Sequence, residues 1–369
     1  MLKLRYNSLI LSAKYMFKQS NKNSLFGNYL YERVIPKDNF LKQLSEAIDF
    51  SFINGICLDK YENYGKAGNR PYEPEILFKI LFLSFLYDVS LREIEEQIND
   101  RLSFKWFMGL AVDDPAPDHS TLTVFRDRLE EETFQDIFNN IVSQAKVKQL
   151  VHDRLKIIDS TAMRANVDLS RLARKNSGRD KKESGDDKDN YIDKTSPDSD
   201  ARFGRKSSQK QFYGYKKHII IDGDSEIIEQ VITTPGNIKD EQIVKPLIAE
   251  VEMSTDLRKR TKILADKGYD TNANHELIEE YQGKSFIIIK KNRTVKKLKN
   301  RMKTMIYRRT IKERYKIERR FADGKTNHGL GKCKWLGIWK TAIQNYLTAT
   351  VLNCKRIVTL IAAQINSSA

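Results

Sequence analysis

Residues 155–167, LKIIDSTAMRANV, decide the fold. The apolar run Lys156–Ile158 ends on Asp159 and gives way to small polar residues, which reads as a short buried strand closing on an acid. An acid in that place leaves the end of a sheet and faces a cleft. The form returns at residues 261–269, TKILADKGY, where a second apolar strand ends on Asp266. Between them, residues 212–237, FYGYKKHIIIDGDSEIIEQVITTPGN, read as a hairpin: a strand over Lys216–Ile221, a turn at Asp222, Gly223 and Asp224, and a strand over Ile227–Thr233, closed by Gly236 and Asn237. Helical periodicity covers Lys239–Met253 and residues 271–282, and SFIIIK over Ser285–Lys290 gives another buried strand. Strand, hairpin, helix, strand, helix, strand, helix is the order of an α/β domain with a mixed sheet.

The last helix of that order contains TIKERYKIERRFADGK, Thr310–Lys325. From Lys284 to Arg320 the chain carries sixteen Lys or Arg and two acids, Glu313 and Glu318, so this window holds +14 of a whole-chain +16. At about 100° per residue, Arg314, Glu318 and Lys325 lie within about 40° of one another. Gly324 is expected to end the helix before Lys325. Taken alone, Arg314 and Glu318 are a surface ion pair worth a few tenths of a kcal/mol, and Asp159 and Asp266 are each a helix cap or turn residue. Taken together, two strand-end carboxylates and a helical one converge on a cleft. Such a set can hold two divalent cations, whose preferred ligands are oxygen, for in-line attack on a phosphodiester. The basic window beside it suits a polyanion.

Composition agrees with this reading. The chain has 369 residues, 40% of them hydrophobic, and a pI near 9.5, which points to a core of real size and a polyanionic partner. The apolar runs Ile76–Tyr87 and Ala342–Ala363 are too short or interrupted by Asn353, Lys355 and Arg356, so no membrane span is expected. The first residues lack the pattern of a secretory signal, and a cytoplasmic location follows as an expectation. Cys57, Cys333 and Cys354 are scattered thiols that suit a core better than a disulfide framework or a zinc site.

Three regions precede or interrupt the α/β part. Residues 1–69 read as an N-terminal helical extension, with Phe40, Leu41, Leu44 and Ile48 at helical spacing. Residues 70–150 read as an all-helical domain: an apolar helix after Pro71 and Pro74, a helix from Ser90 with Glu93 in a capping-box position, and a long helix on which Leu122, Phe125, Leu129, Phe134, Ile137, Phe138 and Ile141 keep the 3.6-residue period. Arg126 and Arg128 near the start of that helix are expected to be exposed, which suits a helix lying in a DNA groove and equally a plain helical bundle. Residues 155–361 form the α/β domain. Within it, residues 169–211 are polar and charged and are expected to be a disordered insertion.

The chain resembles the bacterial insertion-sequence transposases of the DDE class, in the group whose last acid lies in a Y-x2-R-x3-E-x6-K signature. Arg314, Glu318 and Lys325 match that spacing, while Ile311 stands where the signature has Tyr, and Tyr307 or Tyr315 would substitute only from another helical angle. IDSTAMRA around Asp159 and ILADKGYD around Asp266 are similar to the first two acid motifs, TPGNIKD over Thr234–Asp240 to the segment between them, and PDHSTLTVFRDRL over Pro117–Leu129 to the end of the helical domain before the catalytic core. The resemblance covers roughly residues 71–361. It implies a ribonuclease H-like mixed sheet with flanking helices, preceded by an all-helical N-terminal domain. It implies an enzyme that uses two Mg²⁺ ions, with Mn²⁺ able to substitute, to cut the terminal inverted repeats of its element and join the 3′ ends to target DNA. Asp159, Asp266 and Glu318 would be the catalytic metal ligands. Arg314 and Lys325 would contact phosphates of double-stranded DNA, with Arg319, Arg320, Arg126 and Arg128 as further DNA contacts. A homodimer or higher assembly on DNA, associated with the nucleoid, is implied as well. The segment Asp266–Glu318 holds no Trp of the kind that flips a base in hairpin-forming relatives, and Trp335 and Trp339 are expected to pack under the last helix. A catalytically silent DNA-binding relative and a ribonuclease H-like nuclease without strand transfer share much of this pattern.

Overall fold

A computed structural model describes residues 17–18, 25–61, 70–172, 192, 195–207, 210–254, 260–292 and 295–368. The chain divides into two compact units, Met1–Ala145 with Asn353–Ala369, and Lys146–Leu352.

In the first unit the helices are α1 (Leu25–Val34), α2 (Phe40–Ala47), α3 (Phe52–Ile56), α4 (Pro74–Leu86), α5 (Leu91–Asp100), α6 (Leu102–Met108) and α7 (His119–Val147). Helix α4 opens with Pro74, whose missing N–H is no loss in a first turn. It is apolar nearly all round, as a core helix must be. Around it Phe50, Phe78, Phe82, Phe107 and Phe134 pack with ring centroids 5.8 to 6.4 Å apart. The capping box before α5 is formed: Ser90 Oγ accepts from the Glu93 N–H at 3.2 Å, and Glu93 Oε2 accepts from the Ser90 N–H at 2.7 Å. Every apolar position named above for the long helix is buried in α7. That helix is nonetheless two helices joined by a kink, because Glu130 leaves helical geometry (φ 58°, ψ −179°) and its carboxylate meets Lys60 at 3.1 Å.

The second unit is a mixed sheet of β1 (Leu155–Arg164), β2 (Arg202–Ser207), β3 (Lys210–Asp222), β4 (Ile228–Pro235), β5 (Lys262–Ala265) and β6 (Lys284–Ser285). Its order is β2-β3-β1-β5-β6, with β4 also on β3. Strand β1 is antiparallel to β3 and parallel to β5, the ribonuclease H-like arrangement. Beyond β6 the backbone still donates from Phe286 to Ile263 (2.7 Å) and from Ile288 to Ala265 (2.9 Å), so SFIIIK does run beside β5. On one face, α8 (Val244–Ser254) and α9 (Asn272–Glu280) bury Val244, Leu247, Ile248, Val251 and Ile278 against Ile158, Ile220 and Ile263. Then come α10 (Lys296–Met302), α11 (Met305–Thr310), a 3-10 turn over Ile311–Arg314, α12 (Tyr315–Asn327) and α13 (Ile338–Ser368). Among the described residues no helix is long and apolar enough to cross a membrane.

One strand expectation changes. Strand β1 does not end at Asp159: β3 pairs with it from Lys156 to Arg164, while β5 pairs only as far as Ile158 opposite Ala265. Asp159 therefore lies inside one ladder and at the end of the other. The close crossing of β1 and β3 at its far end requires Gly214 (φ 148°), where a Cβ would stand 2.2 Å from the Met163 carbonyl oxygen. The expected disordered insertion also changes in part. Residues 173–191, 193–194 and 208–209 lie outside the described residues, but Arg202–Ser207 and Lys210–Gln211 belong to the sheet. Asp198 ties this stretch down, accepting from the Tyr215 hydroxyl and from the Ala201 N–H (3.3 Å) while itself buried. A low aliphatic content hides such order, because here the buried contacts are between an acid and tyrosines.

Candidate active site

The parallel register of β1 and β5 brings the first two acids together. Ile158 pairs with Ala265, so the next residues, Asp159 and Asp266, sit side by side where the β1–β5 ladder ends, on strands that in a sheet run about 4.8 Å apart. Each also serves its local backbone: Asp159 Oδ1 accepts from the Ser160 N–H at 2.8 Å, and Asp266 Oδ1 caps a 3-10 turn by accepting from Lys267 N–H at 2.7 Å. The cap reading of Asp266 and its part in a cluster are thus both true. Arg314, the last residue of the 3-10 turn before α12, sits among all three acids. Its Nη2 lies 3.2 Å from Asp159 Oδ2 and 3.6 Å from Glu318 Oε1, and its Nη1 lies 3.1 Å from Asp266 Oδ1. The ordinary i,i+4 pair of Arg314 with Glu318 exists, and it is the longest of the three contacts.

Burial pushes the Asp159 carboxyl above its usual range, against the pull of Arg314 and of the Ser160 N–H, and the charge of Asp266 adds to the rise. The site is graded in exposure, from 14% for the Asp159 side chain through 32% for Asp266 to 58% for Glu318. An oxygen-only donor set, drawn from the middle of β1, the end of β5 and a helix and already sharing one cation, fits a hard divalent ion such as Mg²⁺ or Mn²⁺.

The remaining cations separate into surface and core. Lys325 is exposed on α12, which continues through it to Asn327. Gly324 does not end the helix; it lets the helix approach its neighbours, since a Cβ there would stand 2.9 Å from Leu330 Cδ2. Arg319 is exposed and paired with Glu226. Arg320 faces inward, 7% exposed, with Nη2 donating to the Leu352 carbonyl at 2.7 Å. Arg126 is likewise only 4% exposed: it lies one turn from Leu122 on the buried stripe of α7, and its guanidinium donates to Asp127 at 2.7 and 2.8 Å. The expected exposure of Arg126 and Arg320 is therefore corrected. Arg128 is half-buried, its guanidinium 4.6 Å from the centre of the Tyr61 ring. Tyr307 is buried with its hydroxyl donating to the Ile287 carbonyl at 3.3 Å, and Tyr315 is exposed beside Arg319, so the two tyrosines nearest Ile311 are occupied differently. Trp335 is half-buried, and Trp339 lies within α13 itself. The three cysteines are buried thiols, as a core role requires.

A second acid cluster had no sequence signal. Asp153, Asp222 and Glu229 bring carboxylate oxygens within 4.8 Å of one another, a spacing open to a metal ion. Lys156 fills it, in contact with Asp153 and Glu229 and 3.6 Å from Asp222. Burial alone would pull the Lys156 ammonium down; Glu229, Asp222 and Asp153 together reverse this and leave it raised.

A family model described as a transposase DDE domain matches residues 152–354, and one described as a transposase domain (DUF772) matches residues 29–128. Among solved structures, a piggyBac transposase synaptic complex with hairpin DNA is 11% identical with a TM-score of 0.39, covering 93% of this chain and 77% of that one. A pre-cleavage Mos1 transpososome is 9% identical with a TM-score of 0.22, covering 81% and 80%. The DDE match spans more than half of the chain and contains all three acids of the cluster, and with the helical match ahead of it the chain belongs to the DDE transposase family as an insertion-sequence transposase.

Proposed function

We propose that the chain cleaves the terminal inverted repeats of its insertion sequence and joins the freed 3′ ends to target DNA, with Asp159, Asp266 and Glu318 as the catalytic metal ligands. The observation that carries this is the convergence of three carboxylates from distant parts of the chain on one guanidinium. When bound, two divalent cations would activate a water or 3′-hydroxyl for attack and stabilise the leaving oxygen. Arg314 then exchanges partners: it leaves the carboxylates and takes a DNA phosphate, for which its planar fork is suited. Lys325 and Arg319 extend that phosphate contact along the exposed side of α12. The exposed cations of the window, among them Lys299, Lys303, Arg308 and Arg309, hold the duplex. We assign inverted-repeat recognition to the helical unit with Arg128 at its surface, and we expect two or more copies to act together on DNA.

The test is a labelled inverted-repeat duplex with Mg²⁺ or Mn²⁺. Joined products are expected from the wild type, and Glu318→Gln is expected to bind the duplex nearly as well while cutting at least about a hundredfold more slowly, a loss of about 2.7 kcal/mol of transition-state stabilisation. Nicked products alone would make the chain a nuclease. Binding with no products would make it a silent relative, and cleavage retained by Glu318→Gln would remove Glu318 from the site.

A further inference from the structure

Residues 291–312, KNRTVKKLKNRMKTMIYRRTIK, hold ten Lys or Arg and no acid. The outer side of a basic helix pair needs nothing apolar, yet Met302, Met305 and Ile306 are 38%, 67% and 58% exposed. Single exposed apolar side chains are ordinary, whereas a group of them marks a contact surface. With Val295 these make four of the twelve large apolar side chains exposed among the described residues. The grouping is thus particular to this corner.

The corner is firmly built. Leu298 and Tyr307 are buried beneath it, with the Tyr307 ring stacked on Phe286 at 6.0 Å. Arg301 reaches back to donate to the Ser285 carbonyl. Thr304 Oγ1 donates to the Arg301 carbonyl at 2.7 Å and accepts from the Tyr307 N–H at 3.2 Å, which caps α11. Met302 at the end of α10, and Met305 and Ile306 in the first turn of α11, are therefore presented on a fixed backbone with little freedom left to lose on contact.

Charge says what the contact is. Lys299, Lys303, Arg308 and Arg309 flank the three side chains, are exposed, and pair with no acid among the described residues. A second copy meeting this surface about a two-fold axis would set like charges face to face. A polyanion is the complementary partner, and a DNA duplex adds apolar base faces behind its phosphates. Met and Ile are among the side chains that enter base steps as wedges, unstacking them and kinking the duplex by about 20–90°. The place of the wedge follows from the chain. From Met305, α11 and the 3-10 turn lead directly to Arg314 among the acids, a backbone path of at most about 16 Å, or about five base pairs at roughly 3.4 Å each.

We propose that the α10–α11 corner is a wedge: Met302, Met305 and Ile306 form an apolar tip that enters a base step of a duplex held by the surrounding cations, and kinks it within about five base pairs of the acid cluster. The inference rests on the DNA reading of the basic window.

The experiment uses the full chain on an inverted-repeat duplex without divalent cation, so that no strand is cut. 2-Aminopurine placed singly at successive positions within about six base pairs of the cleavage site reports unstacking, and energy transfer between dyes at the duplex ends reports the kink. The wild type is expected to raise the fluorescence at one base step and to bend the duplex by about 20–90°. The double variant Met305→Gln, Ile306→Gln removes the two most exposed members of the tip. It is expected to lose both signals while keeping the thermal midpoint and the salt dependence of binding, because the cations are untouched. Either signal unchanged in the double variant, or no unstacked step with the wild type, overturns the inference and leaves the DNA reading standing. A change in the oligomeric state of the DNA-free double variant, read by sedimentation, makes the corner an interface between copies and overturns it as well. If wild-type binding to the duplex does not depend on salt, the DNA reading of the window and the inference fall together.

Discussion

Strand β1 carries two places, three residues apart, where one cation meets three carboxylates. At Lys156 the acids are Asp153, Asp222 and Glu229; at Asp159 the cation is Arg314 and the acids are Asp159, Asp266 and Glu318. The first set has a second cation as well, Lys146, 3.9 Å from Glu229, and the surroundings of the two sets are opposite. The side chains of Lys156, Asp222 and Glu229 are wholly buried, and Asp222 is further fixed by the Ser225 N–H and hydroxyl, both at 2.8 Å. Burial pushes the Glu229 carboxyl up even with Lys156 against it. Arg314 is about a quarter exposed and Glu318 more than half. A cation locked in low dielectric cannot be traded without leaving unpaired buried charge, whereas one reached by water can be replaced by another cation at small cost. Burial, more than the number of acids, separates the structural cluster from the candidate site.

The largest effect should come from the closed cluster. Lys156→Met leaves three carboxylates with only Lys146, 3.9 Å from Glu229, and is predicted to cost about 3–5 kcal/mol; urea denaturation checks it, and a loss below about 1 kcal/mol, the scale of an exposed pair, would erase the contrast. The same cluster fixes a pH dependence. Because the folded-state pKa of Lys156 lies above its ordinary 10.5, its contribution is complete below that value and is lost as pH rises through the higher folded value. The thermal midpoint should accordingly fall in strongly alkaline solution, and Lys156→Met should flatten that part of the profile. The smallest effect belongs to the surface: Lys325→Gln is predicted to reduce the log–log salt slope of DNA binding by about one phosphate's worth, roughly 0.9, with uniform weakening across sequences. An unchanged slope would detach Lys325 from the DNA-facing side of α12.

Much of this was readable from residue order. The two strand-and-acid repeats, the hairpin between them and the apolar stripe of α7 are local patterns, and local patterns survive in a sequence. What was not readable depends on register or on contacts distant along the chain. Asp159 reads as a strand end because the apolar run stops there, but β3 carries the ladder on to Arg164. Arg314 reads as the partner of Glu318, four residues on, while its shorter contacts are to Asp159, 155 residues away, and to Asp266. Arg126 and Arg320 read as DNA contacts, yet both are buried, with their guanidiniums donating to the Asp127 carboxylate and the Leu352 carbonyl.

The proposed function requires that Asp159, Asp266 and Glu318 form a cation site whose present occupant, Arg314, can be exchanged. Titrating Mn²⁺ into the DNA-free chain tests it most directly. With the guanidinium removed, Arg314→Gln is predicted to bind Mn²⁺ at least about tenfold more tightly than the wild type, about 1.4 kcal/mol, and Asp266→Asn placed in the same background should abolish the gain. Affinity in Arg314→Gln no higher than in the wild type, or a gain that survives Asp266→Asn, would contradict the account.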